Sequence, residues 1–135
     1  MLKHLNIFTT KQLDDILVVT PKGQAGSFLY NDLHREANTV RDAVMKPEIS
    51  HLVINLSKLQ YFGSEFIGSL VSMAREVKNQ NGRVALCAAD PQMVEVLQNM
   101  SLFKLWPYYA SEEEALTALK SGDAEPKIKT VRSKA

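Results

Sequence analysis

Ser50 to Val77 reads SHLVINLSKLQYFGSEFIGSLVSMAREV, and the rest of the chain is organised around this stretch. His51 to Leu56 is a short apolar, β-branched run, the pattern of a strand covered on both faces. Gly63-Ser64 breaks the extended pattern and starts a helix, because a Ser hydroxyl accepts from the orphan amides of a first turn. Ile67, Leu70, Val71, Ala74 and Val77 then repeat at helical spacing and mark one apolar face. Phe66 and Met73 fall near the edge of that stripe, where partial exposure is expected. Two readings of the Ser64 turn stay open: a regulated contact surface beside exposed apolar groups, or a helix cap beside core residues.

Upstream, Leu5 to Phe8 is a weak candidate for an edge strand, and Ile16 to Val19 a firm one that stops at Thr20-Pro21-Lys22-Gly23. Asp14-Asp15 precede that strand. An acidic pocket needs its carboxylates at the carboxyl end of a strand, so this pair reads as a turn. Pro21 to Ser27 (PKGQAGS) lacks both GxGxxG and a phosphate-loop GK[ST], and is read as a flexible loop lining a surface. Phe28 or Leu29 to Val44 reads as a helix with Leu33, Ala37, Val40 and Val44 on one face, ended by Pro47.

Downstream, Asn79-Gln80-Asn81-Gly82 is a turn and Arg83 to Ala88 a buried strand. Asp90-Pro91 opens a helix, with Asp as cap and Pro at its first position, and Met93, Val94, Leu97 and Met100 expected inside. Leu102 to Tyr109 is expected to end in a short strand. Ser111 to Glu114 has capping-box spacing with acids at the positive end of the helix dipole, and Ala115, Leu116 and Leu119 follow. The order β-β-α-β-α-β-α-β-α implies crossovers, hence an α/β fold with a mixed, mainly parallel sheet and about four helices packed against it.

Bulk properties agree. A chain of 135 residues can bury one core, and 45% hydrophobic with 23% charged residues belongs to a soluble globular protein. A net charge of +1 provides no global field for nucleic acid or membrane, and neither partner is expected. No apolar run has the length of a signal peptide or a bilayer span. Lone Cys87 excludes an internal disulfide and fits a reducing compartment, so the cytoplasm is expected. Residues 1–120 form the expected domain. Residues 121–135 are polar and basic and read as a disordered tail.

Residues 52–70 (VINLSKLQYFGSEFIGSL from Val53), the NGRVALCAADP unit and the closing YYASEEEAL resemble a STAS domain, the fold of anti-sigma factor antagonists and sulfate-transporter tails. The resemblance spans Leu5 to Leu119. In the antagonist branch, the loop before the second helix commonly reads Asp-Ser-(Ser/Thr)-Gly, and its first Ser is phosphorylated by a kinase that doubles as an anti-sigma factor. This chain has Gly63, Ser64, Glu65 and Phe66 there, so the acceptor Ser is present while the Asp and Gly are replaced.

The resemblance implies a non-enzymatic regulatory module that binds an anti-sigma factor or serine kinase, with Ser64 the phospho-acceptor candidate. The partner surface would include Gly23, Gln24, Ser27, Gly63, Ser64, Glu65, Phe66, Ser69 and Met73. Phe66 in place of Gly would narrow a groove or add an apolar anchor. The alternative is a scaffold or adaptor subunit, of a stressosome-like complex or a lipid-transport system, without a Ser64 switch. A homodimer is compatible with either.

Other chemistry is weakly represented. His4, His34 and His51 have no metal-ligand spacing, so no metal is expected, and no cofactor motif occurs. Cys87 lies mid-strand and reads as an inert core thiol. Ser64 has no GxSxG elbow. Trp106, Tyr108 and Tyr109 lack interleaved bases other than Lys104 and read as packing residues.

Overall fold

The computed structural model describes residues 7–22, 30–59, 64–101 and 106–120, apart from the side chains of residues 30–32 and 64–65. Two strands open it, β1 (Phe8–Leu13) and β2 (Ile16–Pro21), followed by α1 (Tyr30–Val44), β3 (His51–Asn55), α2 (Ser64–Asn79) and β4 (Val84–Cys87). The chain continues with α3 (Pro91–Asn99), β5 (Tyr108–Tyr109) and α4 (Glu112–Lys120). The expected element order and mixed α/β sheet are both present.

The strands lie in the order β1-β2-β3-β4-β5. β1 and β2 form an antiparallel hairpin, and β2 to β5 run parallel. Leu13 pairs with Ile16, leaving Asp14-Asp15 as a two-residue turn with Asp14 at φ 57°, a left-handed conformation that Asp tolerates. The expected first strand at Leu5–Phe8 is displaced: the strand starts at Phe8 and runs through Thr9, Thr10, Lys11 and Gln12. An edge strand paired on one side keeps polar residues, so no apolar run announces it.

Each parallel strand is laid beside the previous one in the same direction. Crossovers of one hand then place their helices on one face of the sheet. Leu17, Leu52 and Val84, and in the next row Val19, Ile54, Leu86 and Tyr108, point to that face and share a core with α1, α2 and α3. The alternate residues Ile16, Val18, Val53, Ala85, Cys87 and Tyr109 point the other way and are covered by Ala115, Ala118 and Leu119 of α4. Small side chains on both sides of that second interface (Ala85 and Cys87 below, Ala115 and Ala118 above) let a single helix sit close to the sheet.

Local signals account for the helix boundaries. Asp90 Oδ1 accepts the Met93 N–H at 2.8 Å, and Pro91 takes the first position of α3. Ser111 Oγ accepts the Glu114 N–H at 3.1 Å, and Glu114 Oε1 accepts from Ala110 N–H at 3.3 Å, a capping box shifted back by one residue. After α2, Asn81 adopts φ 67° and Gly82 passes so near Ser50 that a Cβ on it would lie 1.9 Å from the Ser50 carbonyl oxygen. Met100, expected inside, is 43% exposed, because α3 ends at Asn99 and the next residue leaves the buried stripe.

Candidate functional site

Because β2 to β5 are parallel and a helix follows each, α1, α2, α3 and α4 all begin at one end of the molecule, beyond the carboxyl ends of the strands. That end is where open α/β sheets place their binding crevices. The amino termini of the helices add partial positive charge there.

The link from β3 to α2 is tied down at its start. Leu56 and Leu59 are buried. Asn55, the last residue of β3, accepts the Ser57 N–H on Oδ1 at 2.9 Å and so reverses the chain. Its Nδ2 donates to Glu112 Oε1 at 2.7 Å, at the amino end of α4, and Lys11 Nζ lies 2.8 Å from Glu112 Oε2. Burial pushes the Glu112 carboxyl up, but the hydrogen bonds from Lys11 and Asn55 and the Lys11 charge outweigh it and hold the group below the usual carboxylate range. One carboxylate therefore connects β1, β3 and α4 beneath the turn that leads to Ser64.

The neighbouring link is also fixed. Ala88, just past β4, sits at φ 65°, and the next N–H, of Ala89, donates to the Tyr108 hydroxyl at 2.9 Å. That hydroxyl donates back to the Ala89 carbonyl at 3.3 Å. Burial pushes the Tyr108 phenol up, so it stays a neutral donor.

The residues nominated from sequence are distributed unevenly. Ser64 and Glu65 are the first two residues of α2, and Ser69 is half-buried on the same helix. Gly23, Gln24, Ser27 and Gly63 lie outside the described residues. Phe66 and Met73 are corrected: at 1% and 0% exposure they belong to the core, not to the edge of the stripe. The apolar stripe is wider than one packing partner requires because α2 is packed against both the sheet and α1. The Phe66 ring lies 5.8 Å from that of Phe8, so its bulk is absorbed inward and does not narrow a surface groove. The exposed described positions of α2 are instead Gly68, Arg75, Lys78 and Asn79, with half-buried Ser72 between them, whose Oγ accepts from Arg41 Nη1 of α1 at 2.8 Å.

Sequence reasoning missed Asn55, Glu112 and Lys11 as a unit. The one available signal was a polar residue closing an apolar strand. It also missed Glu36 of α1, fully buried, whose Oε1 accepts the Ile7 N–H at 2.7 Å. Cys87 is 0% exposed and its thiol is pushed up to about 12 by burial and by Glu112, which removes it as a nucleophile at neutral pH. His51 Nδ1 accepts the Arg83 N–H at 3.0 Å, a backbone tie at the opposite end of the sheet. Among the described residues, no three His, Cys, Asp or Glu side chains are grouped to hold a metal, and no helix is long and apolar enough to cross a membrane.

Comparison with known proteins adds the family. A model of the STAS domain matches residues 8–115. An anti-sigma F factor antagonist of Paenibacillus polymyxa is 29% identical over 90 residues, covering 64% of this chain and 77% of the relative. The structure of an anti-sigma-factor antagonist (STAS) domain protein from Planctomyces limnophilus has a TM-score of 0.67 and 27% identity, over 84% of this chain and 97% of that one. The Bacillus cell fate determinant SpoIIAA in its phosphorylated form has a TM-score of 0.64 and 21% identity, over 82% and 96% of the two chains, a likeness of fold.

Proposed function

The chain belongs to the STAS domain family, and from that premise we propose that it is a non-enzymatic regulatory module that binds an anti-sigma factor or a serine protein kinase in the cytoplasm. Ser64 is the phosphate acceptor in this reading. The observation that supports it is the position of Ser64 as the first residue of α2, at the end of the sheet where the helix amino termini gather. A phosphate there adds roughly −1.5 to −2 charge where amides and dipole tolerate it, so the fold survives modification. The same charge repels an acidic or apolar partner surface, and the partner leaves.

The departure of Phe66 from the Gly of the antagonist motif does not weigh against this reading, because its side chain points into the core. The proposed contact surface is therefore Gly23, Gln24, Ser27, Gly63, Ser64, Glu65 and Ser69, without Phe66 and Met73.

The test is to purify tagged wild type, Ser64→Ala and Ser64→Asp from native cells, weigh each intact and quantify the co-purifying proteins. A phosphate present in wild type and absent from Ser64→Ala, with a kinase or anti-sigma factor lost from Ser64→Asp, is the expected result. The same partners on all three, with no phosphate on any, would replace the switch by a constitutive adaptor.

A further inference from the structure

Glu36 is a charged side chain at 0% exposure on α1. Burying a carboxylate is unfavourable unless donors surround it. Its Oε1 accepts from the Ile7 N–H at 2.7 Å and from the Phe8 N–H at 3.3 Å, where β1 begins. The Ile7 carbonyl in turn accepts the Lys22 N–H at 2.9 Å, just past the end of β2. The start of an edge strand, otherwise the part of a sheet most given to fraying, is thus held by two hydrogen bonds to a buried side chain of a helix. Phe8, fixed in this way, is 1% exposed and packs against Phe66, with ring centroids 5.8 Å apart and planes at 43°. Phe66 is the third residue of α2, two after Ser64.

We propose that Glu36 is a positioning residue for the Ser64 turn: by fixing where β1 begins, it seats Phe8 against Phe66 and so sets the first turn of α2. The biological meaning rests on the reading of Ser64 given above, whereas the mechanical coupling does not. Packed interiors transmit such constraints because they have few voids to absorb a shift. Spatial adjacency alone does not establish coupling, so the test must read the first turn of α2 directly.

The experiment uses the full chain as wild type, Glu36→Leu, Glu36→Gln and Phe8→Leu, with native-state amide hydrogen exchange and Ser64 phosphate occupancy measured on each. Glu36→Leu keeps the volume but leaves the Ile7 and Phe8 amides unsatisfied, and Glu36→Gln restores an acceptor oxygen. Helix geometry pairs the amides of Gly68, Ser69 and Leu70 with the carbonyls of residues 64–66. Those three amides are expected to exchange about tenfold faster in Glu36→Leu and Phe8→Leu, with β4 and α4 at wild-type rates and Glu36→Gln close to wild type. Phosphate occupancy at Ser64 falls in the same two variants. Unchanged rates at residues 68–70, or an equal acceleration through β4 and α4, overturn the proposal. If Glu36→Leu does not fold, Phe8→Leu decides by the same rates. A wild type that never carries phosphate refutes the Ser64 reading while the exchange rates still decide the coupling.

Discussion

Replacing Asn55 by Asp changes one atom at the point where β3 turns toward Ser64. Asn55→Asp keeps Oδ1 as acceptor for the Ser57 N–H but puts an oxygen where Nδ2 now donates to Glu112 Oε1 over 2.7 Å. A hydrogen bond to a charged group contributes about 1.5–3 kcal/mol, and that contribution is lost. Repulsion between the two carboxylates adds to the loss, while the Lys11 ammonium 2.8 Å from the other Glu112 oxygen offsets part of it. The Glu112 side chain is only 23% exposed, so solvent screens the repulsion incompletely. The expected destabilisation at neutral pH is about 2–3 kcal/mol, or roughly 6–10 °C in Tm for a domain of this size.

The pH dependence carries the diagnostic information. In wild type the folded Glu112 carboxyl titrates below its unfolded value, so its stabilisation is present above the unfolded value and is lost as pH falls through the folded one. In Asn55→Asp two carboxylates share one site, which raises one folded value above the unfolded value. That group's stabilisation is complete below the unfolded value and is lost as pH rises through the folded one. The Tm difference between wild type and variant should therefore widen from about pH 3 to about pH 7. Thermal unfolding followed by circular dichroism at low salt measures it. A difference independent of pH, or no difference at neutral pH, would refute the role assigned to the Asn55–Glu112 bond.

Three further outcomes follow from the packing. Gly82→Ala places a Cβ 1.9 Å from the Ser50 carbonyl oxygen and 2.7 Å from Val77 Cγ1, and should lower stability by about 1–3 kcal/mol, read from the urea midpoint. Met73→Ala removes a side chain that is 0% exposed and should cost about 2–5 kcal/mol; below its lowered Tm it should still bind the same partner, which separates core from surface. Cys87 should react with a thiol reagent at mildly alkaline pH only as fast as the protein opens, since its thiol is both buried and pushed up to about 12. Rapid labelling of the native protein would contradict that placement.

The order of elements was legible because the deciding signals are local. Apolar runs at 16–19 and 51–56, Asp90-Pro91 and Ser111 with Glu114 all act within a few residues of themselves. What was illegible depends on chain segments that meet only after folding. Asn55 and Glu112 are 57 residues apart, and Glu36 reaches Ile7 across 29, so neither contact leaves a trace in spacing. The burial of Phe66 and Met73 was misjudged for the same reason. Periodicity locates one apolar face, but the width of that face depends on α1 packing beside α2. β1 was misplaced because an edge strand with Thr9, Lys11 and Gln12 offers no apolar run. The position of Ser64 at a helix start was visible, since Gly-Ser after a buried strand is itself a boundary signal.

Among the described helices, α4 alone lies on the second face, and this bears on how the chain is made. A ribosome delivers β2, β3 and β4 before α4, and with them Ile16, Val18, Val53, Ala85 and Cys87, which share a cluster with Ala115, Ala118 and Leu119 of α4. Until α4 is made, the strand residues it packs against lack that cover. Nine residues, Glu112–Lys120, supply it late. A nascent chain stalled before that point would present those apolar strand residues to chaperones and neighbours.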